Sequence, residues 1–313
     1  MKMTPLVNTL GEAIEFYLLD CKSRDMSPAT LVTKRRSLNR FNNWCQSHGL
    51  LDPDEVSLDV MEAYRMYLHE YRKARDGEPL SANSKYKFLV DLKLCLRRLH
   101  RRRIIERADF EEFELPKSKK VIVRNVPSHD EVEQILRQPI LRDNEMGLMD
   151  RTIMELLYAC AIRRSEVVQI KLSDIDLNKR ILLIINGKGM RDRKLPILER
   201  ACHWIRLYLN EVRPRFLGLG SGDYLFLSPS GLPCSADQIG QRVGKYIRRS
   251  GVPIEGACHV FRHAVATSML DNGADIRHVQ KLLGHADIST TQIYTHVGIK
   301  KLEEVYNRTH PAV

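Results

Sequence analysis

The residues of this chain best suited to chemistry lie near its C-terminal end, in the stretch HVFRHAVATSMLDNGADIRHVQKLLGHADISTTQIYTH. His259, Arg262, His285 and Tyr294 fall within that one segment. A guanidinium is a planar fork that fits two phosphate oxygens, and imidazoles donate hydrogen bonds or move protons near neutral pH. A tyrosine hydroxyl adds a nucleophile. Together these types suit phosphoryl transfer. Taken singly, each has a plainer reading: Tyr294 as a core aromatic, His285 as a helix-end residue. His259 and His263 stand at i, i+4, the spacing of a zinc pair on a helix, but the glutamate of H-E-x-x-H is replaced by Val260, so no metal is expected.

Three residues upstream are of types that could join such chemistry. Arg163 and Glu166 lie in YACAIRRSEV and Lys188 in INGKGMRDRKLPI. Arg163 at a helix end could cap carbonyl groups, with Glu166 pairing with it and orienting it. Arg164 reads as a surface or phosphate contact. Lys188 sits at the tip of a strand, turn, strand pattern, where a lone lysine is ordinarily solvated. Asp174 and Asp176, in SDIDL, read as turn formers and not as a nuclease metal pair. No Walker-type glycine loop is present, which removes support for NTP hydrolysis.

The elements that must position these residues are mostly helical. Four helical patterns open the chain: about Thr9 to Arg24, a second from the Ser27-Pro28 cap to Gly49, a third from about Asp54 to Arg75, and a fourth from about Ser81 to Ile105. On the fourth, Phe88, Leu92, Cys95 and Leu99 share a face. Lys93, Arg97 and Arg101 form an i, i+4 row on another, widened by Arg98 and Arg102. Like charges at that spacing repel by a few tenths of a kcal/mol per pair. A row with almost no interleaved carboxylate is easier to explain against DNA phosphates than as a solvated helix face.

Residues 108–127, ADFEEFELPKSKKVIVRNVP, show no helical or alternating period and read as an extended connector. Beyond them, Ser128 and Glu131 form a capping box for a short helix. RTIMELLYACAIRRSEVVQI reads as one helix, ILLIIN and RKLPI as paired strands, residues 198–212 as a helix, and LFLSPSG as a further short strand. Ser235 and Gln238 cap the next helix. The tail carries Ile299, Leu302, Val305 and Tyr306 on one helical face.

With 313 residues, two domains are expected. Lys and Arg number 50 against 39 Asp and Glu, a formal charge of +11, which suits a polyanionic partner. Seven scattered cysteines without a C-x-x-C pair read as reduced thiols in an intracellular protein. No apolar run approaches the roughly 20 residues of a membrane span, and the reading is a cytoplasmic protein.

In their order and spacing, YACAIRRSEV, INGKGMRDRKLPI, HVFRHAVAT and LLGHADISTTQIYTH resemble the motifs of the tyrosine recombinases, also called the phage integrase family, and look closest to Xer-like integrases. Ala161 stands where glycine is usual and Phe261 where leucine is usual. The resemblance implies a mainly α fold with a small β-sheet in the catalytic domain: an N-terminal helical, SAM-like core-binding bundle over 1–107, a linker over 108–127, and a catalytic domain over 128–313 with a C-terminal exchange helix. It implies a site-specific DNA recombinase working through a 3′-phosphotyrosyl intermediate, with Arg163, Lys188, His259, Arg262, His285 and Tyr294 catalytic and Glu166 supporting them. Metal and ATP are not needed, so no cofactor is expected. The implied partners are a double-stranded DNA recombination site and further copies, or a paired recombinase, in a tetramer. A non-catalytic sequence-specific DNA-binding protein on the same fold is the alternative.

Overall fold

The computed structural model describes residues 7–74, 76–116, 125–142, 144–185, 192–285, 287 and 289–292. The chain divides into two compact units, Met1–Lys120 and Val121–Val313.

The N-terminal unit is a four-helix assembly: α1 (Leu10–Lys22), α2 (Pro28–Ser47), α3 (Leu58–Glu70) and α4 (Ala82–Arg101). Each begins where the sequence supplies a cap. Thr9 and Glu12 close a capping box on α1, Ser27 accepts from the Thr30 N–H with Pro28 at the first position of α2, and Ser57 and Ser81 cap α3 and α4. The apolar faces meet around Leu38, Phe41, Tyr64, Leu68, Leu92 and Leu99. The third pattern is shorter than expected, because a separate 3-10 turn at Pro53–Glu55, capped by Asp52, precedes the helix.

The connector over 108–127 needs correction in its first half. Asp109–Glu112 forms a 3-10 turn, and Phe110 and Phe113 are buried in the N-terminal core. Burying a phenylalanine gains roughly 1.5–3 kcal/mol, more than an extended tether would retain by leaving both rings in water. Residues 117–124 lie outside the described residues.

The C-terminal unit packs its helices around α6 (Glu145–Cys160), with α5 (His129–Arg137) on one side. Ser128 and Glu131 form the expected capping box on α5. The single helix read over RTIMELLYACAIRRSEVVQI is two: α6 ends at Ala161, in the left-handed conformation at φ +50°, and a short α7 (Arg164–Val167) follows with Arg163 at its N-cap. The apolar period runs through this break, which is why pattern alone hides it.

A three-stranded antiparallel sheet comes next, β1 (Ile175–Asp176), β2 (Ile181–Ile184) and β3 (Arg193–Pro196), with Leu182 opposite Leu195 and Ile184 opposite Arg193. Asp176 accepts from the N–H groups of Asn178 and Lys179, and Asp174 from that of Lys171, so both aspartates form turns. The segment LFLSPSG adds no strand to that sheet. Leu227 bridges only Pro233, and Leu225 donates to the Ile170 carbonyl, because the buried 225–227 run fills the core between helices.

Beyond the sheet stand α8 (Glu199–Leu207), which continues into irregular turns to Phe216, then α9 (Ala236–Ser250), α10 (His259–Asp271), α11 (Ile276–Leu283) and a turn, α12 (Ser289–Gln292). Ser235 occupies the N-cap of α9 but makes no side-chain cap hydrogen bond. All seven cysteines are buried and free. Among the described residues no helix is long and apolar enough to cross a membrane.

Candidate active site

The C-terminal end of α11 is the point on which Arg163, Arg262 and His285 converge. Its last carbonyls lack partners within the helix and carry the negative end of the helix dipole. Gly284, at φ +61°, turns the chain sharply there and leads directly to His285. Three guanidinium groups donate to three successive carbonyl oxygens at this end: Arg193 Nε to Leu282 at 3.2 Å, Arg262 Nη2 to Leu283 at 2.5 Å, and Arg163 Nη2 to Gly284 at 3.1 Å.

Each arginine comes from a different element. Arg163 is held at the break between α6 and α7, its backbone N–H donating to Glu166 Oε2 at 2.8 Å and its Nη1 to Glu166 Oε1 at 3.0 Å. Arg262, one turn into α10 and only 3% exposed, also donates from Nη1 to the Ala161 carbonyl at 2.6 Å. The strained Ala161 therefore has a purpose in the site, since its turn presents the oxygen that fixes Arg262. The methyl of Ala161 packs beside Ala266, Val279 and Leu283.

Glu166 is 7% exposed and ionised at neutral pH. Burial opposes its charge, but the hydrogen bonds from Arg193, the Arg163 N–H and the two guanidinium charges outweigh burial and hold the carboxyl below the usual range.

His285 donates or accepts through Nδ1 with Thr291 Oγ1 at 2.8 Å, while Gln280 Nε2 donates to its carbonyl at 3.1 Å. His259 opens α10 one turn before Arg262. Desolvation by the surrounding protein, then the charges of Arg262, Arg164 and Arg163, pull its imidazole below the ordinary value. It is therefore neutral at pH 7. The His263 ring, 6.5 Å from that of His259, is pulled down to about 4 by burial, then by His259 and Arg262. Arg164 turns away toward α9, pairing with Asp237 at 3.4 Å. Lys188 and Tyr294 lie outside the described residues, as do the residues of the proposed exchange helix.

Arg193 escaped the sequence reading, yet a signal exists. Alternation along RKLPI puts Arg193 on the same sheet face as buried Leu195, and an arginine on an apolar strand face needs a buried acceptor.

The basic row of α4 is a different case. Arg98 donates to both oxygens of Asp20 at 2.8 and 2.6 Å, and Arg102 to Asp20 at 2.6 Å. Arg97 forms a two-pronged pair with Glu111, and Lys93 donates to the Glu111 and Phe113 carbonyls at 2.8 Å. Contrary to the expectation from its local sequence, the row does not lack carboxylates: α1 and the turn after α4 supply them, as Asp20 and Glu111. Arg101 makes no ion pair among the described residues.

Comparison with known proteins bears on both units. The "Phage integrase family" model matches residues 126–300, and the "Phage integrase SAM-like domain" model matches residues 9–119. Tyrosine recombinase XerC 2 of Ralstonia nicotianae is 40% identical over 286 residues, covering 91% of this chain and 82% of that protein. Tyrosine recombinase XerD of Proteus mirabilis is 34% identical over 91% of this chain and 88% of its own length. In fold, the chain is similar to the XerH site-specific recombinase in a pre-cleavage complex bound to difH substrate, at a TM-score of 0.67 and 20% identity, covering 95% of this chain and 83% of that one.

Proposed function

Since the chain belongs to the phage integrase family and is a site-specific DNA recombinase, we propose that it cleaves and rejoins strands through Tyr294, with Arg163, Arg262, His259, His285 and Lys188 as its catalytic partners and Glu166 as their support. Tyr294 Oη gives its proton to a neutral site imidazole such as His259 as it attacks the scissile phosphorus, and the bond to the 5′-oxygen breaks, leaving a 3′-phosphotyrosine. Lys188 gives the leaving 5′-oxygen its proton. The 5′-hydroxyl of a partner strand then attacks the phosphotyrosine, and Tyr294 leaves. One phosphodiester replaces another, so the exchange requires no ATP.

The convergence of Arg163 and Arg262 on the end of α11, beside His285, is the observation that carries this reading. Phosphoryl transfer is helped chiefly by fixed positive donors around the non-bridging oxygens. Arginines already tied to a rigid frame meet the incoming charge without reorganising. His259, neutral at pH 7, is suited to accept a proton or donate one from its N–H.

The proposed partner is a double-stranded DNA site, on which copies of the chain, or a pair of recombinases, assemble as a tetramer in the cytoplasm. The row Lys93, Arg97, Arg98, Arg101 and Arg102 is proposed to contact phosphates, Arg101 directly and the others by exchanging an internal carboxylate for DNA.

Replacing Tyr294 by Phe tests the nucleophile. Tyr294→Phe is expected to bind its site as the wild type does and to form no covalent protein–DNA adduct on a denaturing gel, while wild-type adduct forms in the presence of EDTA. An adduct formed by the Phe variant would remove Tyr294 from its role.

A further inference from the structure

Glu166 lies between two arginines, and only Arg163 is among the site residues that the sequence names. Arg193 grips both of its oxygens, Nη1 to Oε1 at 2.9 Å and Nη2 to Oε2 at 2.8 Å, while Nε reaches the Leu282 carbonyl at 3.2 Å. We propose that Arg193 is a positioning residue for strand cleavage: by occupying Glu166 and the end of α11 together, it keeps Arg163 aimed and leaves the charge of Arg163 available to the scissile phosphate. This deepens the recombinase reading and rests on it.

A carboxylate paired with Arg163 alone would neutralise it and compete with phosphate for its donors. With Arg193 present, one negative charge is shared by two guanidinium groups, and the cluster remains positive. Glu166 accepts four N–H bonds, two from Arg163 and two from Arg193, which fills the capacity of a carboxylate. Glu166 therefore has no free lone pair with which to draw Arg163 closer.

Arg193 begins β3, Glu166 lies on α7 and Leu282 is in the last turn of α11, so one planar side chain ties three elements. Arg163 leans on both of the groups that Arg193 fixes, Glu166 directly and the α11 end through the Gly284 carbonyl. His285 follows immediately. Gly284 also leaves room for this: a Cβ there would stand 3.1 Å from the Arg193 guanidinium, in a backbone conformation side chains avoid. The Arg193 side chain is 11% exposed, with three of its donor bonds made inside the protein, so it acts through its neighbours and not on the phosphate.

The test uses full-length protein, a nicked recombination site that traps the adduct, and single-turnover cleavage measured beside the dissociation constant. Arg193→Ala is expected to bind with an unchanged Kd and to cleave about 10²-fold more slowly, the usual consequence of a small misplacement of a catalytic group. Added guanidinium ion should restore part of the rate without changing binding. Arg193→Lys should stay slow, because a single ammonium cannot bridge Glu166 and Leu282. Removing the carboxylate as well tests the coupling: Glu166→Gln combined with Arg193→Ala should be no slower than Arg193→Ala alone, and this pair also relieves an unpaired buried charge should the single variant fold poorly. Wild-type cleavage by Arg193→Ala, full activity of Arg193→Lys, or fully additive losses in the double variant would each overturn the proposal. Absence of any adduct with wild-type protein would count instead against the recombinase assignment of Tyr294.

Discussion

In the N-terminal unit Arg98 and Arg102 close on Asp20 and Arg97 on Glu111, at a surface where the Arg97 side chain keeps 38% of its exposure. In the C-terminal unit Arg163 and Arg193 share buried Glu166, and buried Arg262 donates to the Ala161 and Leu283 carbonyls. Both are arginine clusters with carboxylates, but the freedom of the side chains differs. The exposed Arg97–Glu111 pair can exchange its carboxylate for an external anion at little cost, since exposed ion pairs contribute about 0–1 kcal/mol, whereas Arg98 and Arg102 give up buried Asp20 to do so. The C-terminal cluster is fixed before any ligand arrives. An exchangeable, water-facing cluster suits holding a polyanion, and a preorganised one suits stabilising charge that develops during reaction.

The largest effect expected from breaking this contrast is at Arg262. Arg262→Ala should slow single-turnover cleavage by about 10²–10³-fold, the loss seen when one fixed donor to a developing oxyanion is removed. A smaller effect is expected at Asp20. Its hydrogen bonds from Arg98, then those from Arg102, hold its carboxyl at about 2, against desolvation. Because that value lies below the unfolded one of about 3.9, the stability it contributes is complete above about pH 4 and is lost as pH falls toward 2. Asp20→Asn should remove about 1.5–3 kcal/mol of stability at neutral pH, the range for hydrogen bonds to charged groups, and should flatten the acid limb of the unfolding midpoint. It also frees Arg98 and Arg102, so the slope of log K against log salt should steepen by up to about one per new phosphate contact. An unchanged slope would mean that these two arginines serve only the fold.

The smallest effect is expected at Ala161. Glycine there relieves a left-handed alanine, worth roughly 1–2 kcal/mol, but removes a buried methyl worth about 0.8 kcal/mol. Ala161→Gly should therefore change the unfolding free energy by no more than about 1 kcal/mol, in the stabilising direction. A larger loss would show that the methyl contact with Val279 and Leu283 holds the site together.

Much of this could be read from the chain. Caps at Thr9, Ser27, Ser81 and Ser128 mark helix starts because their hydroxyls bond locally, within three residues. Arg163, Arg262 and His285 stood out because a reactive combination recurs at family spacing. What could not be read depends on distant partners. Asp20 neutralises Arg98 from 78 positions away, and Arg193 meets Leu282 from 89 away. Local charge patterning is blind to both. The break at Ala161 was hidden for another reason: apolar residues continue through it, and only the left-handed turn interrupts the helix.

The contrast between the two clusters is tested most directly by measuring binding and cleavage together on one nicked site, for Arg262→Ala and for the double variant Arg97→Ala, Arg101→Ala. Arg262→Ala is expected to keep its Kd and to lose cleavage at saturating protein. The double variant should bind more weakly, with the salt slope lowered by about one per lost phosphate contact, and should cleave at the wild-type rate once saturated. A double variant that binds normally, or an Arg262→Ala protein that cleaves at the wild-type rate, would contradict the division between a cluster that holds DNA and a cluster that reacts with it.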